Sequence, residues 1–290
     1  AVVLTGGVGG AAQLLHVSQP AISKVLAQAE RHLGFALFDR VKGRLVLTPE
    51  GQQLHVEVDT LWRGVERVRE VSQGLSAPRS GTLRLAVSAS LASHLVPRSL
   101  ALLYDEFPAL QARMEILIAP IMVNALLDHT ADLGVALLPS EHPNLVTVQS
   151  YRCGFACVMR PDHALAARER IRPADLRGER VIASPQDTPY GQALLRAYGR
   201  EAAHLRLDLE VRSSTSACWQ ASAGAGVAVV DRAAIAGGTF GDLAVRPFQT
   251  RERLAVAILR NQYRPLSVIQ SAFCKAFDRV WKEAMGEAAG

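Results

Sequence analysis

The sequence predicts a small, mostly helical N-terminal domain followed by two α/β lobes, and three observations lead to this division. Residues 1–48 hold five basic and only two acidic side chains. An apolar heptad repeat follows within residues 49–76. From residue 82 onward, short β-rich runs alternate with amphipathic helices, as in parallel sheets covered by helices. At 290 residues the chain is long enough for both parts to build a core.

Two short helices joined by a turn are predicted near the N terminus. Apolar residues recur at helical spacing over 8–15, after a glycine-rich turn. Ser18 is a favourable N-cap for the second helix, and Pro20 lies in its first turn, where a missing N–H is harmless. One face of this second helix is apolar and carries Ile22, Leu26, Ala29 and Leu33.

The opposite face of the second helix is polar and includes Gln19, Ser23 and Lys24. Glutamine can bond adenine through two hydrogen bonds, and lysine can reach guanine or phosphate, so this face suits DNA. A solvated helix surface has the same composition. The face by itself therefore leaves both interpretations open.

A strand, a turn at Lys42-Gly43 and a second strand follow over residues 38–48. This pattern predicts a wing, a β-hairpin beside the helix–turn–helix, and its turn and flanks carry Arg40, Lys42 and Arg44. The local surplus of positive charge suits contact with phosphates. We therefore assign residues 1–48 to a winged helix-turn-helix domain.

A long helix is predicted from Thr48, an N-cap before Pro49, to about Ser76. Its apolar positions are spaced by four and three residues in alternation, which forms a heptad seam. The seam consists of Leu54, Val58, Leu61, Val65 and Val68. Packing on its own domain and pairing with a partner helix both remain open, and three heptads favour dimerisation. A hinge is expected over 77–81.

The remaining residues, 82–290, predict two lobes joined by two crossings, with a hinged cleft between them. The first lobe is expected over about 82–160 and 254–290, and the second over about 161–253. Hydroxyl, amide and carboxyl side chains lie where strands end and helices begin, and such helix starts can bind carboxylates. These side chains are Ser88, Ser90, Gln186, Asp187, Thr188, Ser213, Ser214 and Ser216. Simple helix capping explains the serines and threonine equally well.

Other protein classes lack support in the sequence. No Gly-x-Ser-x-Gly, HExxH or Cys-x-x-Cys motif occurs, and the eight histidines have no metal-ligand spacing. The four cysteines are expected to be small buried side chains or inert thiols. We expect no enzymatic activity, no metal and no cofactor. No signal peptide or membrane helix is evident, which predicts a cytoplasmic protein. The alternative is a ligand carrier similar to solute-binding proteins, without a role on DNA.

The N-terminal segment closely resembles the DNA-binding signature of LysR-type transcriptional regulators. The resemblance lies in residues 11–24, Glu30, Leu33-Gly34 and residues 37–40. The resemblance continues through Gly43-Arg44 in the wing and residues 48–51 at the start of the long helix. It extends to residues 161–165 and 223–227, and so covers essentially the whole chain.

This resemblance implies a regulator that binds double-stranded DNA at an inverted-repeat operator and has a periplasmic-binding-protein-like effector domain. It implies homodimers, tetramers built from them, and contact with RNA polymerase during activation. The DNA contacts would be Ser18, Gln19, Pro20, Ser23, Lys24, Arg40, Lys42 and Arg44. The small-molecule effector, which we expect to bear a carboxylate, would contact Ser88, Ser90, Leu137, Gln186, Asp187, Thr188, Ser213 and Asp231. Asp187 or Asp231 would pair with a ligand ammonium or guanidinium, although surface salt bridges explain them equally well.

The chain departs from the family pattern at several positions. It begins within the first helix, so the DNA-binding domain is expected to be incomplete at its N terminus. Gly7 and Gly9 replace the usual Ser and Thr and are expected to weaken this domain. Residues 35–38, 42–45 and 131–134 are most similar to the branch that senses amino acids or opines. Arg232 departs from that branch, which usually has proline there.

Overall fold

The computed structural model describes residues 1–76 and 80–286, and the chain divides into two compact units, Ala1–Arg69 and Glu70–Gly290. Most of the expected hinge at 77–81 therefore lies outside the described residues, as do positions 287–290. Within the described part, no helix is both long and apolar enough to cross a membrane.

The N-terminal unit contains three short helices, a β-hairpin and the start of a long helix. The elements are α1 (Val2–Thr5), α2 (Val8–Leu14), α3 (Gln19–Leu33), β1 (Phe38–Val41), β2 (Arg44–Leu47) and α4 (Pro49–Ser76). Gly6 ends α1 in the left-handed conformation, with φ of 70°, which confirms the predicted glycine turn. The helix–turn–helix consists of α2 and α3.

Few side chains of this unit are fully buried. Ala11 and Ala12 of α2 are its buried hydrophobic residues among the described positions. The predicted apolar face of α3 is only half-buried at Ile22, Leu26 and Ala29, and Leu33 is 39% exposed. The core of the unit is therefore thin. Gly7 and Gly9 both have room for a side chain, since the nearest contact of an added Cβ would be the Gln19 side chain, 3.8 Å from position 9.

Hydrogen bonds from two side chains hold the hairpin between α3 and α4. The Glu30 carboxylate accepts from the backbone N–H of Leu37 at 2.7 Å. Thr48 Oγ1 donates to the Ala36 carbonyl at 2.8 Å and accepts from the Gly51 N–H at 2.9 Å. A Cβ on Gly51 would lie 2.3 Å from the Leu37 carbonyl oxygen, so this first turn of α4 requires glycine.

The C-terminal unit contains two five-stranded sheets, each flanked by helices. The first sheet has the order β4-β3-β5-β12-β6 and forms lobe I, and the second has the order β11-β7-β10-β8-β9 and forms lobe II. The strands are β3 (Ser80–Val87), β4 (Ala109–Ile116), β5 (Leu133–Leu137), β6 (Leu145–Cys153), β7 (Phe155–Met159), β8 (Arg180–Ala183), β9 (Arg206–Glu210), β10 (Val227–Asp231), β11 (Ala244–Pro247) and β12 (Leu254–Asn261). The helices are α5 (Ala89–Ala92), α6 (Leu95–Glu106), α7 (Ala119–Leu127), α8 (Pro189–Tyr198), α9 (Ser214–Ser222) and α10 (Val268–Met285).

The chain crosses between the lobes at Gly154 and again between β11 and β12. The first crossing differs from the expectation that lobe II starts near residue 161, because β7 already pairs with β10 and β11. Residues 145–159 form two strands separated by one glycine, and the apolar pattern does not say which sheet each strand joins. Strands β6 and β11 have no clear counterpart in the alternating sequence pattern.

Large apolar side chains fill the core of the C-terminal unit. Leu83 and Leu85 of β3 are buried with Phe273 and Phe277 of α10 in one cluster. The four cysteines, Cys153, Cys157, Cys218 and Cys274, are buried free thiols. Burial raises the pKa of Cys157 to about 12, so this thiol stays protonated at neutral pH. The prediction of small buried cysteines is confirmed.

Candidate DNA-binding surface and interlobe cleft

The polar face at the start of α3 is fully accessible. The candidate DNA contacts Ser18, Gln19, Pro20, Ser23 and Lys24 are all exposed. Ser18 occupies the N-cap position, but its hydroxyl does not cap the helix, contrary to prediction. Instead the Ser18 carbonyl accepts from the Ala21 N–H at 3.0 Å. The exposed hydroxyl is therefore accessible to a phosphate.

The wing is a two-stranded antiparallel ribbon in which Phe38 pairs with Leu47 and Val41 with Arg44. Its turn places Lys42 at φ of 49° and Gly43 at φ of 80°, so both central residues have the positive φ of a type I′ turn. Arg40, Lys42 and Arg44 are all exposed. Directly paired residues project from the same face of a ribbon.

The two wing arginines therefore project from opposite faces, because Arg40 pairs with Leu45 and Arg44 pairs with Val41. Composition alone does not indicate whether the three wing cations form one group. The β-strand period of two separates Arg40 from Arg44, so they do not form one continuous surface on the hairpin.

The seam of α4 is accessible in the single chain. Leu54 is half-buried, whereas Val58 is 52%, Leu61 70%, Val65 52% and Val68 71% exposed. A row of exposed aliphatic side chains at heptad spacing gains free energy when a second helix covers it.

A buried carboxylate connects the two lobes. Asp231, the last residue of β10 in lobe II, is fully buried. Its Oδ2 accepts from the hydroxyl of Ser90, in α5 of lobe I, at 2.8 Å. The same oxygen accepts from Ser214 at 2.6 Å, and Oδ1 accepts from the Ala234 N–H at 3.0 Å. One carboxylate therefore joins β10, α9 and the opposite lobe.

Tyr190 completes this group from α8. Its hydroxyl accepts from the Asp231 backbone N–H at 2.9 Å and lies 2.8 Å from Ser214 Oγ. Burial raises the pKa of Asp231 above its usual value, against the opposing effect of its serine and backbone donors. Burial, with the nearby Asp231 charge, raises the pKa of Tyr190 well above its usual value, so the phenol stays neutral.

Ser88, the residue directly before α5 in lobe I, has a hydroxyl hydrogen that is not used within the described residues. Its Oγ accepts from the Leu137 backbone N–H at 3.0 Å, and no acceptor for its own hydrogen occurs among the described residues. Ser88 and Leu137 are both half-buried. This arrangement can donate a hydrogen bond to a ligand.

The other predicted cleft residues have local roles. Thr188 caps α8 by accepting from the Gly191 N–H at 2.9 Å, and Ser213 caps α9 by accepting from the Ser216 N–H at 3.1 Å. Gln186 and Asp187 are exposed in the loop before α8. The structure thus pairs Ser88 with Leu137 and Ser90 with Asp231, while Thr188 and Ser213 cap helices.

The sequence indicates Ser214 as a cleft residue but not as an effector contact, and it does not indicate Tyr190. Ser214 belongs to the serine cluster at the start of α9, where Ser213 is the expected contact, yet the buried hydrogen bond belongs to Ser214. Tyr190 is not predicted at all. A tyrosine directly after Thr188-Pro189 at a helix start was the available signal, but its partner lies 41 residues away.

Comparison with known protein families gives two matches. The family described as LysR substrate binding domain matches residues 76–281. The family described as bacterial regulatory helix-turn-helix protein, lysR family, matches residues 1–52. Between them, the two matches cover both units of the chain.

Characterised relatives agree with these matches. The transcriptional activator protein LysR of Escherichia coli is 29% identical over 273 residues, which cover 94% of this chain and 88% of that protein. The octopine catabolism/uptake operon regulatory protein OccR of Rhizobium meliloti is 33% identical over 250 residues, which cover 86% and 82%.

Solved structures share the fold. The LysR family regulator CbnR superposes with a TM-score of 0.76 at 20% identity, over 96% of this chain and 95% of that one. Full-length BenM superposes with a TM-score of 0.58 at 18% identity, over 97% and 94%. With helix–turn–helix, wing and two-lobed domain in place, the chain belongs to the LysR family and is a DNA-binding transcriptional regulator with an effector-binding domain.

Proposed function

We propose that a small-molecule effector with a carboxylate binds in the interlobe cleft and controls how this regulator is arranged on its operator. The observation that carries this proposal is the Ser90–Asp231 hydrogen bond between the lobes. A ligand that inserts here competes with that bond, so its binding free energy depends on how far the lobes are closed.

Ser88 is the candidate donor to the effector carboxylate, because its hydroxyl hydrogen is available beside the Leu137 N–H. Asp231 is the candidate partner for a positively charged group on the same ligand. Gln186, Asp187, Thr188 and Ser213 are secondary candidates on lobe II, at helix starts that can approach an anion.

On DNA, we propose that Gln19, Pro20, Ser23 and Lys24 lie in the major groove, with Ser18 at its edge and Pro20 against a thymine methyl group. Arg40, Lys42 and Arg44 contact the backbone or the minor groove from the wing. Because Arg40 and Arg44 project from opposite faces of the hairpin, at most one of them inserts deeply into a groove.

Two chains would pair through the α4 seam into a homodimer, and the two-fold axis would require an inverted-repeat operator. Pairs of dimers would form tetramers, and RNA polymerase would be contacted during activation. We propose this regulatory role in place of any catalytic one, and in the cytoplasm, where operator DNA lies. The carrier alternative has no support from the family assignment.

The effector proposal is tested by thermal unfolding of the full chain with a panel of amino acids and organic acids. A ligand at one hundred times its dissociation constant adds about 2.7 kcal/mol to the free energy of unfolding. Any compound that stabilises the protein should lose at least tenfold in affinity in Ser88→Ala. Ser93→Ala removes a half-buried hydroxyl of the same segment and is the matched control.

Footprinting of operator DNA with and without the stabilising compound then shows whether DNA contacts shift. Equal affinity of the compound for Ser88→Ala and Ser93→Ala would contradict the assigned role of Ser88. An unchanged footprint at saturating compound would contradict effector control.

A further inference from the structure

A large groove lies beside the two crossovers, apart from the interlobe cleft. Its volume is about 1570 Å³, and both lobes line it. Lobe I contributes Arg152 and Trp281, lobe II contributes Arg232 and Phe248, and Arg253 lies on the second crossover, directly before β12. None of the proposed effector contacts lies among its lining residues.

Positive charge dominates the groove. Arg152, Arg232 and Arg253 are exposed, and none of the three forms an ion pair within the described part of the chain. Asp278, the acidic side chain among the lining residues, lies 2.8 Å from the Lys282 ammonium group, which also lines the groove. Three guanidinium groups are therefore left without a carboxylate.

Aromatic rings form part of the groove wall. The rings of Tyr151 and Trp281 lie 4.8 Å apart with an interplanar angle of 32°. Both rings belong to residues that line the groove, so part of its wall is apolar. Guanidinium groups also match the geometry of carboxylates and phosphates, each of which can accept two parallel hydrogen bonds.

Arg232 connects this groove directly to the cleft. It follows Asp231 in the chain, and its backbone N–H donates to the carbonyl of Gly154, at the first crossover, at 3.0 Å. Its guanidinium donates to the Met285 carbonyl at 3.4 Å. Proline at this position would provide neither the N–H nor the charge.

We propose that this groove is a second ligand site, for a small multiply charged anion that bears carboxylate or phosphate groups. Arg152, Arg232 and Arg253, which line the groove, are the candidate ligands of this anion. Because it binds across the crossovers, its affinity depends on the relation between the lobes and is coupled to the Ser90–Asp231 bond, reciprocally for either ligand.

Isothermal titration calorimetry of the full chain with citrate and with pyrophosphate, at constant ionic strength, tests the site. We expect Arg232→Gln and Arg253→Gln each to weaken binding at least tenfold, and Arg232→Lys to weaken it less. Arg200→Gln removes an exposed, unpaired arginine of lobe II outside the groove lining, among the residues that the structure describes, and it should leave the affinity within twofold. The tighter of the two anions distinguishes phosphate from carboxylate chemistry.

Undetectable binding of both anions would overturn the proposal, as would wild-type affinity in Arg232→Gln and Arg253→Gln or an equal loss in Arg200→Gln. Arg232 adjoins Asp231, so Arg232→Gln could also disturb the hydrogen bonds of Asp231. Arg253 is distant from Asp231 in sequence, so a loss of affinity in Arg253→Gln reports on the groove alone. Ser90→Ala tests the coupling: it should change the anion affinity at least threefold, and an unchanged affinity would overturn the coupling.

Discussion

Polar side chains are exposed on the DNA-binding surface but buried and hydrogen-bonded at the interlobe cleft. Gln19 and Lys24 are exposed, and their side chains form no hydrogen bonds within the described residues. Asp231, Ser90 and Ser214 are buried and bonded to each other. The exposed side chains of the DNA-binding surface can bind a partner without breaking other hydrogen bonds. A ligand in the cleft must replace hydrogen bonds that already exist between protein groups.

Because of this difference, substitutions in the cleft should mainly change folding stability, and substitutions on the DNA-binding surface should mainly change DNA binding. Removing a buried group leaves its donors without an acceptor and costs folding free energy. Removing an exposed group costs only the contact that it makes with the partner. Substitutions in the two regions should therefore affect different measurements.

The largest effect is expected for Asp231→Ala. It leaves the hydroxyls of Ser90 and Ser214 and the Ala234 N–H without their acceptor, which should lower the free energy of unfolding by about 3 kcal/mol. Thermal or urea unfolding measures it. Asp187→Ala removes an exposed carboxyl and should change stability by less than about 0.5 kcal/mol. A similar small loss in both variants would contradict the buried network.

Gly51→Ala should destabilise the N-terminal unit by about 2 kcal/mol, because the added Cβ must displace the Leu37 carbonyl. Gly64→Ala, in the same helix and with no atom within 4 Å of the added Cβ, should be neutral or stabilising by up to about 1 kcal/mol. Urea unfolding of the full chain compares them. If Gly51→Ala were as stable as Gly64→Ala, the close approach of α4 to the hairpin would be wrong.

Gln19→Ala should reduce the discrimination between operator and random DNA by about 1–3 kcal/mol while leaving protein stability unchanged. Gln28→Ala changes an exposed glutamine nine residues further along α3, which the helical period places on the opposite side from Gln19, and it should leave discrimination intact. Lys42→Ala should weaken binding to both DNAs and flatten the salt dependence. Fluorescence anisotropy at several salt concentrations measures all three. Equal losses on both DNAs for Gln19→Ala and Lys42→Ala would refute this division of roles.

The smallest expected effect is a pH dependence from Asp231. Its folded-state pKa is raised above 3.8 by burial, so the folded state binds the proton more tightly than the unfolded state. This contribution therefore favours folding below the unfolded pKa and fades as pH rises through the folded pKa. Relative to Asp231→Asn, the wild type should gain stability when pH is lowered from 7 toward about 4. A difference independent of pH would show that burial does not raise this pKa.

Local patterns predict the N-terminal unit well. The helix–turn–helix, the hairpin with its turn at Lys42-Gly43, and the long helix from Pro49 to Ser76 all follow from them, because helical and strand periods are readable over a few turns. One finer expectation fails there, because Ser18 does not cap α3. The hairpin register also places Arg40 and Arg44 on opposite faces of the ribbon, which residue type alone does not indicate.

The lobes are predicted less completely. Their alternation of strands and helices is evident in the sequence, but the first crossing lies earlier than expected, at Gly154, and β6 and β11 leave no clear signal. Strand partners come from distant parts of the chain, as when β12 pairs with both β5 and β6. The apolar pattern of a strand does not by itself predict which sheet the strand joins.

The sequence by itself determined that this chain has a winged helix-turn-helix domain, a heptad seam and two α/β lobes, because those features follow from periodicity and residue type within short segments. Only the tertiary structure decided that Ser90, Tyr190, Ser214 and Asp231 meet, since these residues are separated by up to 141 positions and their hydrogen bonds exist only once both sheets are in place. It also decided that Asp231 faces this buried group while Arg232 lines the groove beside the crossovers.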